Sequence, residues 1–122
     1  MELRDLEVYK ISRELSTIAW NVYCELKQEH RFVIGSQFLE SIDSVGANIA
    51  EGYGRYHYLD TVKFYYNARG SLWEFKHWVE LLKERGLITI NYYEEAIDKV
   101  EILAKKLNNL ISTTKSQIKK KS

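Results

Sequence analysis

The sequence contains no proline and only six glycines among its 122 residues. Because these two residue types are the strongest interrupters of regular structure, their scarcity predicts long uninterrupted elements. The single cysteine, Cys24, excludes an internal disulfide and a zinc site built from cysteines, and it fits a reducing compartment. Eighteen basic and seventeen acidic residues give a net charge of +1. No global charge excess therefore indicates nucleic acid, a membrane surface or an acidic substrate as a partner.

Long hydrophobic runs are also missing. The chain begins with a charged segment, Met-Glu-Leu-Arg-Asp, and no apolar stretch follows it. This predicts that there is no signal peptide and no segment able to cross a bilayer. We therefore expect a protein that resides in the cytoplasm and has no membrane partner.

Apolar residues recur at intervals of three and four residues in four stretches, which is the period of amphipathic helices. Asp5 is the expected N-cap of the first helix, and Gly86 is the expected C-terminal cap of the third. Asn91 and Glu94 have the spacing of a capping box at the start of the fourth. The four predicted helices cover about residues 5–26, 34–52, 58–85 and 91–111, and the segment Gly52-Tyr53-Gly54 is expected to end the second.

Short links between these helices favour antiparallel neighbours. The predicted fold class is therefore all-α, an antiparallel up-down-up-down four-helix bundle that forms a single domain over residues 1–122. Residues 1–104 hold twelve basic and seventeen acidic residues, a net charge of −5, whereas six lysines and no acidic residue follow them. The last part of the chain, about residues 112–122, is therefore predicted to be a basic C-terminal arm.

Three short segments resemble one protein family: Asp5-Leu6-Glu7-Val8-Tyr9, Asn48-Ile49-Ala50-Glu51-Gly52 with the following Tyr-Gly-Arg, and Gly70-Ser71-Leu72-Trp73-Glu74. With them the chain resembles the bacterial four-helix-bundle proteins encoded within intervening sequences of 23S ribosomal RNA genes. The resemblance implies a homopentameric ring without enzymatic activity. The chain also distantly resembles accessory proteins of diversity-generating retroelements, which bind nucleic acid and a reverse transcriptase. The family signature implies structural roles for seven residues: Asn48, Glu51, Gly52, Gly54, Gly70, Ser71 and Glu74.

Basic residues are the candidates for contact with nucleic acid. In the lysine arm no carboxylate dilutes the positive charge, and lysines bind phosphates through counterion release. Arg55 follows a Gly-x-Gly segment whose amides could join its guanidinium in holding a phosphate. The candidate nucleic-acid-binding residues are Arg55, Lys63, Arg69, Lys115, Lys119, Lys120 and Lys121.

Each of these interpretations has a structural alternative. Asn48, Glu51 and Arg55 are more simply explained as a buried polar network that fixes the loop or a subunit contact. Arg69, Lys76 and Lys83 repeat every seven residues, and this stripe could follow a phosphate backbone but is more simply a solvated face. The arm could equally serve solubility alone.

Aromatic residues make up 13% of the chain. Bases could stack on the tyrosines, but tyrosine and tryptophan are also favoured at protein interfaces, and we expect subunit packing to be their main use. Gly70 lies inside a predicted helix, where glycine costs about 1 kcal/mol relative to alanine. A close approach of another helix is the expected reason for it.

Catalytic interpretations are weak. Glu74-x-x-His77 has the spacing of a di-iron ligand pair, but the second copy that such sites require is missing. Cys24 and His77 form a conceivable nucleophile pair, although a lone helical cysteine is usually a packing residue. We expect no catalytic residue, no metal site and no cofactor. Two functions remain: a homo-oligomer that binds RNA or DNA through basic residues, or a scaffolding oligomer that recruits another protein and does not bind nucleic acid.

Overall fold

The structure, a computed structural model, describes residues 1–121, with side chains to residue 118. A 3₁₀ turn at Leu3–Asp5 precedes the first long helix, and a single α-helical turn at Gln28–His30 continues into a π-helical stretch at Arg31–Gly35. The four long helices are α1 (Glu7–Glu25), α2 (Ser36–Tyr53), α3 (Tyr58–Glu84) and α4 (Ile90–Lys121). No β-strand occurs within residues 1–121. The prediction of an all-α four-helix bundle is confirmed.

The core is built from one apolar stripe of each helix, as the helical periodicity requires. Leu15, Ile42, Phe75 and Leu103 are fully buried representatives from α1 to α4. Across the α2–α3 boundary the rings of Phe38 and Phe75 stack, with centroids 5.2 Å apart. These contacts join all four helices into one hydrophobic core.

Both α1 and α3 pack against α2 and α4. Between α3 and α4, Tyr93 donates a hydrogen bond to Glu80, and Arg69 donates one to Asn108. Positions that come later in α3 thus meet positions that come earlier in α4. Contacts of this kind support the up-down-up-down order, which stays a prediction.

Two predicted helix caps are wrong. Asp5 is not the N-cap of α1, because it lies in the 3₁₀ turn, where its carboxylate accepts a hydrogen bond from the Glu2 amide at 3.0 Å. Asn91 does not begin the last helix, since α4 starts one residue earlier and the Thr89 hydroxyl accepts from the Tyr92 amide at 3.3 Å. At α4 the neighbouring Thr89 satisfies a free amide, whereas Leu6, the N-cap of α1, makes no side-chain cap hydrogen bond, and periodicity alone does not distinguish these cases.

Three glycines differ in the structural role of their missing side chain. Gly86 has a φ of 68°, which confirms its predicted role after α3, because the left-handed region favours glycine. Gly52 is still helical, and a Cβ there would lie 2.8 Å from Cε1 of the buried Tyr65. Around Gly70, a Cβ would meet no described atom within 4 Å apart from its chain neighbours and the backbone of its own helix. The predicted close helix approach at Gly70 is therefore wrong within one chain.

The last helix is longer than the sequence pattern indicates. Apolar periodicity ends near Ile111, but α4 continues to Lys121. Thr114, one turn further on, is buried and donates its hydroxyl hydrogen bond to the Leu110 carbonyl at 2.8 Å. The basic arm thus begins as a continuation of α4. None of the helices within the described part of the chain is long and apolar enough to cross a membrane.

Candidate nucleic-acid interface

One tyrosine on the outer surface of α3 contacts two basic side chains from two different helices. The Arg69 guanidinium carbon lies 4.7 Å from the centroid of the Tyr66 ring. Lys115 on α4 donates a hydrogen bond from Nζ to the Tyr66 hydroxyl at 3.2 Å. Arg69 also donates from Nη1 to Oδ1 of Asn108 at 3.2 Å, which fixes the guanidinium at the α3–α4 boundary. We call Tyr66, Arg69, Asn108 and Lys115 the Tyr66 cluster.

Carboxylates are absent from the Tyr66 cluster. Among the described side chains, no acidic group forms an ion pair with Arg69 or Lys115. On the α1 side of α4 the situation is different, because Lys99 pairs with Glu14 at 3.0 Å and Lys106 pairs with Glu7 at 3.1 Å. A cation held by a ring and an amide keeps its full charge, whereas a carboxylate neutralises it. Lys115, unlike Lys99 and Lys106, therefore forms no ion pair with a described carboxylate.

Two other lysines of α3 also lie over aromatic rings. Lys76 Nζ lies 5.3 Å from the Trp73 ring centroid, and Lys83 Nζ lies 4.1 Å from that of Tyr93. Glu80 lies between these two lysines but accepts the Tyr93 hydroxyl at 2.7 Å. That hydrogen bond is the main cause of the raised pKa of Tyr93, with smaller contributions from burial and from the Glu80 charge. This acidic residue is therefore engaged with a tyrosine.

The predicted network of Asn48, Glu51 and Arg55 does not exist as one unit. Arg55 pairs with Glu51 at 3.1 Å on the exposed surface, and its guanidinium carbon lies 4.7 Å from the Phe64 ring centroid. Asn48 donates instead to the Ser44 carbonyl and hydroxyl, and the Ser44 and Ser71 hydroxyls are 3.1 Å apart. The Gly70-Ser71 segment of the signature thus contributes a hydrogen bond between α2 and α3. The charge of Arg55 is partly neutralised, which makes it a weaker candidate for phosphate than Arg69.

The other sequence candidates are distributed unevenly. Lys63 is exposed on α3, one turn before Tyr66. Arg69 and Lys115, which are far apart in sequence, meet on the same tyrosine. The side chains of Lys119, Lys120 and Lys121 lie outside the described residues.

Sequence reasoning missed Tyr66 as the centre of the cluster and Asn108 as its anchor. The sequence did contain a signal for Tyr66. A basic residue follows an aromatic residue by three positions at Tyr66–Arg69 and at Trp73–Lys76, and residues with this spacing lie side by side on a helix. Asn108 carried no comparable signal. Its position opposite Arg69 depends on how α4 is placed against α3.

The residues considered for catalysis have other contacts. Glu74 accepts the indole N–H of Trp78 at 3.1 Å, and the His77 ring packs edge-on against the same tryptophan. Cys24 is exposed, and its carbonyl accepts a hydrogen bond from Arg31 at 2.7 Å. Within the described part of the chain, no three histidine, cysteine or acidic residues are grouped so that they could hold a metal ion.

Comparison with protein families gives a match that extends over most of the chain. Residues 4–109 match the family model described as 23S rRNA-intervening sequence protein. The chain belongs to this family. A search of curated proteins finds no match to this chain.

A solved structure gives a second comparison for this family member. A crystal structure from Bacteroides thetaiotaomicron, of a protein with unknown function from the S23 ribosomal protein family, superimposes with a TM-score of 0.79. The two chains are 30% identical, and the match covers 85% of this chain and 97% of the other. The similarity therefore extends over nearly the whole bundle.

Proposed function

We propose that this protein is a non-enzymatic, homo-oligomeric cytoplasmic protein that binds RNA or DNA. The observation that supports nucleic-acid binding is the Tyr66 cluster, where Arg69 and Lys115 keep their charges free of carboxylates. Its membership in the 23S rRNA-intervening sequence family agrees with this proposal. The cluster contains no group arranged for catalysis, so its contribution is binding.

The chemistry of the cluster suits a nucleotide. A guanidinium has five N–H donors, and Asn108 takes one of them, which leaves donors for phosphate oxygens. The Lys115 ammonium adds a second charge from the neighbouring helix. Tyr66 is 36% exposed, and its ring offers an edge or face for a base. Phosphate contact and base stacking would therefore occur at the same place.

A single such cluster would bind weakly, because it holds only two cations. In a homo-oligomer the same cluster is repeated once in each subunit, and linked contacts raise the apparent affinity through effective concentration. Lys63 on α3 adds an exposed basic residue to each subunit, and Lys119, Lys120 and Lys121 are further basic candidates from the sequence. The proposed oligomer is a ring, with five subunits by resemblance to the family.

Fluorescence anisotropy of labelled structured RNA and duplex DNA, titrated at low and near-physiological salt, tests the proposal. We expect saturable binding whose affinity falls steeply with salt. The double variant Arg69→Gln with Lys115→Gln should reduce the salt slope on duplex DNA by about 1.8, since each lost phosphate contact removes about 0.9. The control is Lys99→Gln with Lys106→Gln, which removes the same charge from ion-paired positions and should bind like the wild type. Equal losses in the two double variants would contradict a role for the cluster.

A second candidate function is protein recruitment, and the π-helical stretch before α2 favours it. Phe32 is 76% exposed and Val33 is 72% exposed, side by side on this stretch. Adjacent exposed apolar residues are typical of interaction sites, and π-helical turns are frequent at functional positions. Absence of nucleic-acid binding at every salt concentration, in a protein that is still oligomeric, would favour this scaffold function.

A further inference from the structure

A second cation on an aromatic ring follows the Tyr66 cluster along α3, about two helical turns further on. Lys76 Nζ lies 5.3 Å from the ring centroid of Trp73, which is 57% exposed. Trp73 comes seven residues after Tyr66, and Lys76 comes seven after Arg69. Residues seven apart share a face of an α-helix and lie about 10.5 Å apart along its axis. The pair formed by Tyr66 and Arg69 is therefore repeated on the outer face of α3.

The surface between the two rings is open. Gly70 is exposed and lies four residues after Tyr66 and three before Trp73, so it neighbours both on the helix surface. A Cβ at Gly70 would meet no described atom within 4 Å apart from its chain neighbours and the backbone of its own helix. The missing side chain therefore leaves a gap between two exposed aromatic residues.

Three cations flank this surface without neutralising partners. Arg69, Lys76 and Lys115 form no ion pair with any carboxylate whose side chain the structure describes. Each of them instead lies within 6 Å of the centroid of an aromatic ring. A cation in this position keeps its charge for a phosphate.

The acidic residues nearby do not interrupt the row of cations. Between Asp60 and Glu80, α3 carries one acidic residue, Glu74, which accepts the indole N–H of Trp78 at 3.1 Å. Glu74 is two residues from Lys76, a spacing that places the two on different sides of the helix. On α4, Glu101 comes seven residues before Asn108 but forms no ion pair with Lys76. We call the surface formed by the following residues the α3 track: Tyr66, Arg69, Gly70, Trp73, Lys76 and Lys115.

We infer that the α3 track binds single-stranded nucleic acid in preference to a duplex, with bases stacked on Tyr66 and Trp73. The inference rests on the nucleic-acid binding of the proposed function and specifies its substrate class. In a single strand the faces of the bases are available to aromatic side chains, whereas pairing and stacking cover them in a duplex. The two rings therefore add affinity for a single strand alone. The three cations add affinity for both forms, because both carry phosphates.

The spacing of the rings fits a strand that runs along α3. The axial separation of about 10.5 Å is about three times the 3.4 Å phosphate spacing along one strand of a duplex. A strand with stacked bases thus reaches from Tyr66 to Trp73 in about three nucleotides, and an extended strand needs fewer. The strand passes over Gly70, with its phosphates toward Arg69 and Lys76. Because every base has a ring face, this mode of binding has little sequence preference.

Anisotropy titration of one labelled DNA strand, alone and annealed to its complement, tests the preference. We expect the single strand to bind at least about fivefold more tightly, the effect of one stacked base. Trp73→Leu should lower the affinity for the single strand by about five- to thirtyfold and leave the affinity for the duplex unchanged. The matched control is Trp20→Leu, which removes a tryptophan of similar exposure, 53%, from α1 and should bind both forms like the wild type. Circular dichroism confirms that each variant is folded.

Lys76→Gln distinguishes the charge of the α3 track from its rings. This variant should weaken binding to both forms, with the salt slope reduced by about 0.7 on the single strand and about 0.9 on the duplex. A Lys76→Gln variant that binds both forms like the wild type would contradict the path of the phosphates along α3.

Tryptophan fluorescence detects the stacked base directly, because stacking of a base quenches an indole. The single strand should quench the fluorescence of the wild type and of Trp20→Leu, and this quenching should be lost in Trp73→Leu. Quenching that survives in Trp73→Leu would place the base on another tryptophan and overturn the inference.

Gly70→Leu tests the path of the strand between the rings. The gap accommodates a side chain within the chain itself, so the variant should be folded and no less stable than the wild type to urea. The leucine fills the gap, so the affinity for the single strand should fall while that for the duplex stays the same. Unchanged affinity for the single strand would exclude this path.

The possible failures are distinguishable. A wild-type protein that binds neither the strand nor its duplex would refute the proposed function itself. Equal affinity for the two forms, with Trp73→Leu indistinguishable from Trp20→Leu, would refute the single-strand preference and leave nucleic-acid binding through phosphates intact.

Discussion

Lys115 and Tyr66, which are 49 positions apart in the sequence, are joined by a 3.2 Å hydrogen bond from the lysine Nζ to the tyrosine hydroxyl. This contact places a charge of α4 on the aromatic surface of α3. It also brings Lys115 to the ring that holds Arg69. The bond is therefore the element of the fold that turns two separate basic residues into one site.

Two substitutions of Tyr66 distinguish the contribution of its hydroxyl to nucleic-acid affinity from that of its ring. Tyr66→Phe removes the acceptor for Lys115 but keeps the ring under Arg69, and we expect nucleic-acid affinity to fall by less than about threefold, the effect of one exposed hydrogen bond. Tyr66→Leu removes the ring as well, and we expect a loss of about five- to thirtyfold, the effect of one stacked base. Anisotropy titration measures both. Equal affinities for the two variants would show that the ring does not stack on a base.

The lysines that end the chain should contribute charge without contributing sequence preference. We expect Lys119→Gln, Lys120→Gln and Lys121→Gln together to lower the salt slope on duplex DNA by up to about 2.7. They should weaken binding to all sequences to a similar degree, because phosphate contacts carry no sequence information. Titration of two unrelated duplexes of equal length checks this. Unchanged binding would assign the terminal lysines to solubility alone.

Gly52 and Gly70 should respond in opposite directions to the same substitution. Gly52→Ala places a Cβ 2.8 Å from the Tyr65 ring, which is buried, and we expect the free energy of unfolding to fall by about 1–3 kcal/mol. Gly70→Ala should raise it by about 1 kcal/mol. Urea denaturation of the two variants and the wild type measures both values. A gain in stability for Gly52→Ala would show that Tyr65 can move aside.

Tyr65 should make stability depend on alkaline pH. Burial, with a smaller effect of Tyr53, raises the pKa of Tyr65 to about 12. The pKa of Tyr65 is therefore higher in the folded protein than in the unfolded chain, where it is near 10. The contribution of the neutral Tyr65 hydroxyl to the free energy of unfolding is complete below about pH 10 and is lost as the pH rises to about 12.

Comparison of the wild type with Tyr65→Phe isolates this effect. The difference in unfolding free energy between the two proteins should change by about 2 kcal/mol across that pH interval, in favour of the phenylalanine variant. Thermal or urea denaturation at several pH values measures it. A constant difference would mean that the Tyr65 hydroxyl ionises as freely in the folded protein as in the unfolded one.

The sequence pattern was sufficient for the helices and for the core. Apolar spacing predicted the stripes that bury Leu15, Ile42 and Leu103, because a side chain's face on a helix depends only on its position in the 3.6-residue repeat. Helix ends were less accurate. The caps were assigned to Asp5 and Asn91, but α1 begins after Leu6, which makes no side-chain cap hydrogen bond, and α4 begins after Thr89, whose hydroxyl accepts from the Tyr92 amide.

The candidate site was predictable only in part. Arg69 and Lys115 were identified as basic residues with possible phosphate contact, but nothing in the sequence indicated that they share Tyr66. Arg55 was given the same role, and the structure shows it paired with Glu51. The Arg55–Glu51 pair is local, four residues apart, whereas the contacts of Arg69 and Lys115 depend on how α3 and α4 are placed, which a single helix does not specify.

The sequence by itself determined that this chain forms four amphipathic helices around one core, because local spacing and the lack of proline leave few other structures. Only the tertiary structure decided where the polar surfaces meet. It brought Lys115 to Tyr66, separated Asn48 from Arg55, and left the space around Gly70 open. The physical reason is that burial follows from periodicity within each helix, whereas contacts between helices depend on their relative rotation and register.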